Sequence, residues 1–129
     1  MTIGVISEKV KDLLNLSIID DDNIYIGETN LLHMEKSHPS DFKKYKDQIP
    51  NILKFPDYVG LNPKDNSIEY VKDFWLDNEY VKVAVRISLN GKYYARSLYV
   101  LNKKRTENFI KKGTLKKTWH IVKDSLKCT

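Results

Sequence analysis

Alternating apolar and polar residues mark residues 78–102 as a β-hairpin. Two runs rich in Val, Ile, Leu and Tyr flank Asn90-Gly91, and this dipeptide favours a two-residue type I′ turn. In that register one face is mostly apolar and carries Val81, Val83, Val85, Ile87, Tyr94, Arg96, Leu98 and Val100. The opposite face carries Lys82, Ala84, Arg86, Ser88, Tyr93, Ala95, Ser97 and Tyr99. A shift of one residue would move Arg96 from the core face to the other side of the sheet.

Apolar residues at helical spacing predict several helices in the first half of the chain. These helices are expected over residues 5–15, over residues 31–37 and from about residue 40 onward. Ser7 is the expected N-cap of the first helix, and Thr29 or Asn30 is the expected N-cap of the second. Pro50 would break or restart the third helix, and Phe55 is expected to be buried with the turn that follows.

Short β-type runs and one more helix complete the predicted order of elements. Strands are expected over residues 24–26, 58–61 and 67–75, a helix over 102–112, and a last strand or ordered arm over 114–120. Phe109 and Ile110 are the expected buried residues of that helix, and Gly113 is its expected stop. Residues 121–129 are expected to be a frayed tail. Helices followed by an antiparallel meander predict one α+β domain, with N-terminal helices packed on a twisted antiparallel sheet and a C-terminal helix after the hairpin.

Composition indicates a single basic domain with an anionic partner. The 129 residues include 22 basic and 17 acidic side chains, which give a formal net charge of +5 and favour nucleic acid as the partner. The single cysteine, Cys128, excludes an intramolecular disulfide and a zinc knuckle. Because the chain has no membrane-length apolar run and no signal-peptide pattern, the cytoplasm of the producing cell or of a target cell is the expected compartment, and no membrane partner is expected. The sequence contains no nucleotide-binding or metal-binding motif, so neither a cofactor nor a metal is expected.

The pair His33 and His38 is the first candidate for chemistry. Histidine suits general acid–base work near neutral pH. Cleavage of RNA needs such a pair, because a base must take the 2′-hydroxyl proton and an acid must protonate the leaving 5′-oxygen. A purely structural interpretation stays open: His33 would be an exposed helix residue, and His38 would cap the bend before Pro39.

The polar face of the hairpin is the second candidate. Lys82 and Arg86 lie near Ser97 and Tyr99 on the predicted face, and a cation beside a hydroxyl can stabilise a phosphate. Tyrosine can also stack on a base, which makes Tyr93 a further candidate. A solvated sheet face has the same composition, so this alternative also stays open. The cations that would guide a nucleic-acid backbone follow the hairpin: Lys103, Lys104 and Arg105.

The order of these features resembles the phage-type branch of the barnase–EndoU–colicin–RelE superfamily of nucleases. The resemblance spans residues 24–117 and is carried by HMEKSHPSDF, PDYVGLNP, IEYVKDFW, VKVAVRISLNGKYYARSLYVL and ENFIKKGTLK. It implies a compact α+β domain with an antiparallel sheet of about four strands. It also implies metal-independent RNA cleavage that leaves a 2′,3′-cyclic phosphate.

The resemblance also implies the site residues. It places the two family histidines on His33 and His38, and the sheet residues on Arg86, Arg96, Ser97 and Tyr99. Arg96 is a conflict, because a two-residue loop puts it on the core face; the family placement requires a longer loop or a bulge. The leading hypothesis is therefore an endoribonuclease of toxin or phage-effector type that acts on RNA such as tRNA, with an immunity or antitoxin protein as a candidate partner. The alternative is a module of the same fold that binds nucleic acid or a phage or host partner without chemistry.

Overall fold

The computed structural model describes residues 1–18 and 21–118. In this part of the chain seven strands form one sheet in the order β1-β2-β6-β5-β4-β3-β7. The strands are β1 (Thr2–Val5), β2 (Asn23–Tyr25), β3 (Tyr58–Leu61), β4 (Ile68–Phe74), β5 (Glu79–Ile87), β6 (Tyr93–Val100) and β7 (Lys116–Lys117). The helices are α1 (Glu8–Leu14), α2 (Glu28–Ser37), α3 (Pro39–Tyr45), α4 (Ile49–Lys54) and α5 (Lys103–Lys112), with a 3-10 turn at Lys46–Gln48.

The predicted α+β class is confirmed. Neighbouring strands pair antiparallel except β2 and β6, which pair parallel over two residue pairs. The sheet is larger than the four strands implied by the resemblance, because β1, β2 and β7 extend it at its two ends. Residues 119–129, which include the end of the predicted arm and the predicted tail, lie outside the described residues.

The first two helices begin close to the predicted positions, but the details of both starts differ from the prediction. Residues 2–5 form β1, so α1 begins only after Ser7, whose side chain accepts a 3.2 Å hydrogen bond from the Val10 N–H as predicted. The N-cap of α2 is Gly27, not Thr29 or Asn30. Asn30 still caps this helix from its first turn, because its side-chain oxygen accepts a 2.8 Å hydrogen bond from the Gly27 N–H.

One face of the sheet packs against α1–α4 and forms the hydrophobic core. Its fully buried members include Val83 and Leu98 from the hairpin and Met34 and Ile52 from the helices. Two predicted core residues are not buried: the side chain of Phe55 is 49% exposed and that of Phe109 is 40% exposed. Helix α5 lies on the other face of the sheet, where its buried residue is Thr106 and its Ile110 is only partly buried.

The hairpin loop is one residue longer than a type I′ turn. Ser88 and Lys92 close the loop, since the Ser88 N–H donates to the Lys92 carbonyl at 2.8 Å. The Gly91 N–H donates back to the Ser88 carbonyl at 2.9 Å, and Gly91 alone in this loop has a positive φ, of 81°. The predicted type I′ turn, which needs positive φ at Asn90 as well, is therefore wrong.

A bulge at Arg96 corrects the predicted pairing. The prediction holds from Val81–Val100 to Ala84–Ser97, but Val85 then pairs with Ala95. The strand thereby places a fully buried Ala95 against the core and leaves Arg96 exposed. A bulge is favoured here because a guanidinium buried without a partner would be strongly unfavourable.

The same shift exchanges the faces of two tyrosines. Arg86 now pairs with Tyr94, and Ile87 with Tyr93. Tyr93 packs against the core cluster, so its predicted place on the polar face is wrong. Tyr94 takes that place instead, next to Arg86.

We expect replacement of Tyr70 by phenylalanine to raise the free energy of unfolding by about 1 kcal/mol. The Tyr70 hydroxyl is buried in the core, and no group among the described residues forms a hydrogen bond with it. Burial of an unpaired hydroxyl is unfavourable, and phenylalanine has nearly the same shape. Urea unfolding of both proteins measures the difference.

The matched control is Tyr45→Phe. The Tyr45 hydroxyl is also attached to a buried ring, but it donates to Glu79 Oε1 at 2.6 Å. Its loss should lower the free energy of unfolding by about 1–2 kcal/mol. A Tyr70→Phe protein as unstable as Tyr45→Phe would contradict the assignment of an unpaired hydroxyl.

Candidate active site

The face of the sheet that points away from α1–α4 is called the outer face. Cross-strand pairs place one row of side chains across it from Val71 through Lys82 to Tyr99. The next row runs from Glu69 through Ala84 to Ser97. The outer-face residues used below are Glu69, Val71, Lys82, Ala84, Arg86, Tyr94, Ser97 and Tyr99.

Lys82 is the fixed cation of the outer face. Its Nζ lies 2.8 Å from Glu69 Oε2, and the two side chains are only 12% and 18% exposed. The same Nζ lies 4.7 Å from the centre of the Tyr99 ring. Burial by itself lowers the pKa of Lys82, but hydrogen bonds with Glu69 and Tyr99 outweigh burial and raise the pKa above its ordinary value. Lys82 is therefore positively charged throughout the neutral range.

His38 contacts this cluster from the edge of β6. It links α2 to α3 with φ −141° and ψ 70°, a non-helical geometry, as expected because proline disfavours the helical region for the residue before it. Its ring stacks on Tyr99, with ring centres 4.7 Å apart and an angle of 23° between the planes. Asp41 accepts a 3.0 Å hydrogen bond from the Val100 N–H, which attaches the first turn of α3 to β6. His38, Tyr99 and Lys82 are thus neighbours, although they come from three different elements.

His33 has different surroundings. It is exposed on α2, and its Nε2 lies 3.4 Å from the hydroxyl of Ser37, one turn later on the same helix. Both histidines are exposed, so both rings are accessible from solvent. Of the two, His38 is the one in ring contact with the outer face.

Arg86, Arg96 and Ser97 lie along the next stretch of the hairpin. Arg86 Nη1 is 3.6 Å from Asp65 Oδ2, and both side chains are about two-fifths exposed. The pKa of Asp65 is lowered by hydrogen bonds from the Ser67 backbone and side chain and, to a smaller extent, by Arg86. Arg96 is exposed at the bulge, and Ser97 next to it is half-buried. Two guanidinium groups and a hydroxyl thus lie along the same stretch of the hairpin.

Two aromatic residues that sequence reasoning missed extend the outer face. The rings of Tyr25 and Tyr94 lie 5.9 Å apart, and Lys92 Nζ lies 5.0 Å from the centre of the Tyr25 ring. Tyr25 comes from β2, which reaches β6 through the short parallel pairing. The only local signal was the alternation of Ile24 and Tyr25, and alternation does not indicate which strand will be the neighbour.

The basic residues at the start of α5 have different surroundings. Lys103 hydrogen-bonds to the side chain of Asn78 in the turn between β4 and β5. Arg105 lines the groove between α5 and the outer face together with Lys82 and Tyr99. Lys104 is exposed. Of the three predicted backbone-binding residues, Arg105 is therefore the one in the groove that Lys82 shares.

No group of three or more His, Cys, Asp or Glu side chains in residues 1–18 and 21–118 is placed to hold a metal ion. None of the helices in these residues has the length and apolar character needed to cross a bilayer. The third histidine, His120, lies outside the described residues.

The sequence matches the profile of a known protein family. The sequence profile of a family described as phage-Barnase-EndoU-ColicinE5/D-RelE like nuclease3 matches residues 1–108. Comparisons with curated proteins and with solved structures found no significant match. The matched range contains both described histidines, the whole hairpin and the first half of α5.

Proposed function

We propose that this chain is an endoribonuclease. The chain belongs to the phage-Barnase-EndoU-ColicinE5/D-RelE like nuclease3 family and is thus a nuclease of that type. The observation that carries this proposal is the contact of His38 with Tyr99, beside the buried cation of Lys82. A proton-exchanging group next to a fixed positive charge is the combination that cleavage of a phosphodiester by its own 2′-hydroxyl requires.

The proposed reaction needs no external nucleophile. A base takes the proton of the 2′-hydroxyl, and the 2′-oxygen attacks phosphorus while the bond to the 5′-oxygen breaks. An acid protonates that leaving oxygen, so the products are a 2′,3′-cyclic phosphate and a free 5′-hydroxyl. His38 takes one of the two proton-transfer roles, and His33 on the preceding helix is the proposed partner.

The sheet residues stabilise the charge on the phosphate in this proposal. Phosphorus passes through a five-coordinate state in which negative charge on its oxygens increases. Lys82 is already in place and charged, so it stabilises that charge without reorganisation. Arg86 and Arg96 neutralise the same phosphate, and Ser97 donates a hydrogen bond to it. Tyr99 positions the ring of His38 by stacking on it.

In this proposal, the cations and tyrosines around this centre bind the rest of the RNA. Lys103, Lys104 and Arg105 would contact the backbone, and this contribution falls as salt concentration rises. Tyr94, rather than Tyr93, supplies an aromatic ring for base stacking on the outer face. Transfer RNA is the proposed substrate class, and a toxin or phage-effector role with an immunity or antitoxin partner is the proposed setting.

The direct test is incubation of the purified protein with total tRNA and with a generic single-stranded RNA in excess EDTA. We expect discrete fragments that end in a 2′,3′-cyclic phosphate. Cleavage only after a divalent cation is added would overturn the metal-independent mechanism. Intact RNA in all samples, with a gel shift that disappears at high salt, would instead identify a non-catalytic nucleic-acid-binding module.

A further inference from the structure

A groove of about 440 Å³ lies between α5 and the outer face. Its apolar walls include Val71 and Leu115, which are buried, and Phe109, which is 40% exposed. The ion pair of Lys82 and Glu69 also lines the groove. The groove thus combines apolar wall residues with charged groups, one of which, Lys82, belongs to the proposed cleavage centre.

Backbone contacts fix the far wall of the groove. Gly113, with φ 81°, ends α5 and turns the chain back towards β3. A Cβ at Gly60 would lie 3.0 Å from the Thr114 carbonyl oxygen and 3.1 Å from Leu115 Cδ2, so glycine permits this close approach without a shift of the neighbouring chain. Pairing of β7 with β3 holds the segment in place, and the Thr118 N–H also donates to the Asp57 carbonyl at 3.2 Å. The groove is therefore a preformed feature of the fold.

Building on the proposed ribonuclease function, we infer that this groove binds one unstacked nucleobase of the substrate, next to the phosphate at Lys82. Its volume lies within the range of about 300–1,000 Å³ that is typical of small-molecule sites. Phe109 presents an accessible aromatic ring on which a base can stack. The Lys82–Glu69 pair offers both a donor and acceptors to the polar edge of that base.

Charge favours a nucleotide over an uncharged apolar ligand. Lys64, Lys82 and Arg105 all line the groove, whereas Glu69 is the acidic residue among its lining residues. A base in the groove would therefore have its own phosphate close to cations. Phe109, Thr114 and Leu115 follow residue 108, where the family match ends, so the match does not account for this wall. The rest of the lining lies inside the match and includes Lys82 and Tyr99, so the groove adjoins the proposed cleavage centre and would select the base there.

The test compares Phe109→Ala with the control Phe55→Ala. Both phenylalanines are about half-exposed, but Phe55 follows α4 and is absent from the groove lining. Isothermal titration with the four nucleoside 3′-monophosphates should show that wild type binds at least one of them. Loss of the Phe109 ring should weaken that binding about 5- to 150-fold, while Phe55→Ala binds like wild type. Phe109→Leu, which keeps an apolar side chain, serves as a second variant if the alanine protein unfolds.

Cleavage mapping on an RNA of mixed sequence separates this inference from the proposed function. We expect wild type to prefer certain bases beside the cut, and Phe109→Ala to cut with a flatter preference. An unchanged preference in Phe109→Ala, or no mononucleotide binding by wild type, would overturn the groove assignment even if RNA is cleaved. If wild type cleaves no RNA, the ribonuclease proposal fails, and the titrations alone then decide whether the groove holds a base.

Discussion

Replacement of His38 by alanine should lower the rate of RNA cleavage by about 10²- to 10⁴-fold. The ring of His38 lies against Tyr99, which also contacts Lys82, so its removal takes away the proposed proton-transfer group at this centre. The side chain is exposed, and the hydrogen bond from Val100 to Asp41 that attaches α3 to β6 does not involve it. The fold should therefore be retained. Single-turnover cleavage at saturating protein, with thermal unfolding of the same samples, measures both effects.

The His33→Ala variant tests whether the two histidines work as a pair. If they do, the wild-type rate has a bell-shaped dependence on pH, and each alanine variant loses one limb of the curve. His33 contacts only Ser37 among the described polar groups, so its replacement should leave stability unchanged. Wild-type rates in His33→Ala would eliminate the two-histidine mechanism. Wild-type rates in His38→Ala would eliminate the proposed centre itself.

Replacement of Lys82 by methionine should lower the cleavage rate by about 10²- to 10³-fold. Lys82 is held in position by Glu69, and its raised pKa keeps it charged when the substrate arrives. A preorganised charge of this kind stabilises the transition state more than it stabilises the bound substrate. The loss should therefore appear in kcat more than in KM.

A loss of stability must be distinguished from a loss of catalysis in the Lys82→Met variant. Removal of Lys82 leaves the mostly buried carboxylate of Glu69 without its cation, which destabilises the fold. The double variant Lys82→Met with Glu69→Gln removes both charges, so it should regain stability but not activity. Lys44→Met is the matched control, since Lys44 Nζ lies 2.7 Å from Glu79 on the other side of the sheet. Equal loss of activity in Lys44→Met, or recovery of activity in the double variant, would contradict the role of Lys82.

Local patterns predicted the parts of the fold that depend on neighbouring residues. Alternation in 79–87 and 93–100 indicated the hairpin, because each strand must turn every second side chain towards the core. His38 was placed correctly between two helices, because a residue before proline is kept out of helical geometry. Gly113 was recognised as the end of α5, because only glycine adopts its positive φ without strain.

By itself, the sequence determined the α+β class, most of the elements and the residue types available for chemistry, since these follow from short-range periodicity, proline and glycine geometry, and charge. Tertiary structure alone decided the bulge that exposes Arg96, the exchange of Tyr93 for Tyr94, and the meeting of Tyr25 with Tyr94 across β2 and β6. It also decided the groove under α5. The physical reason is the same in each case. Strand register and strand neighbours depend on the burial of apolar side chains from distant segments and on the high free energy of burying an unpaired charge. A local sequence pattern contains no information about these distant segments.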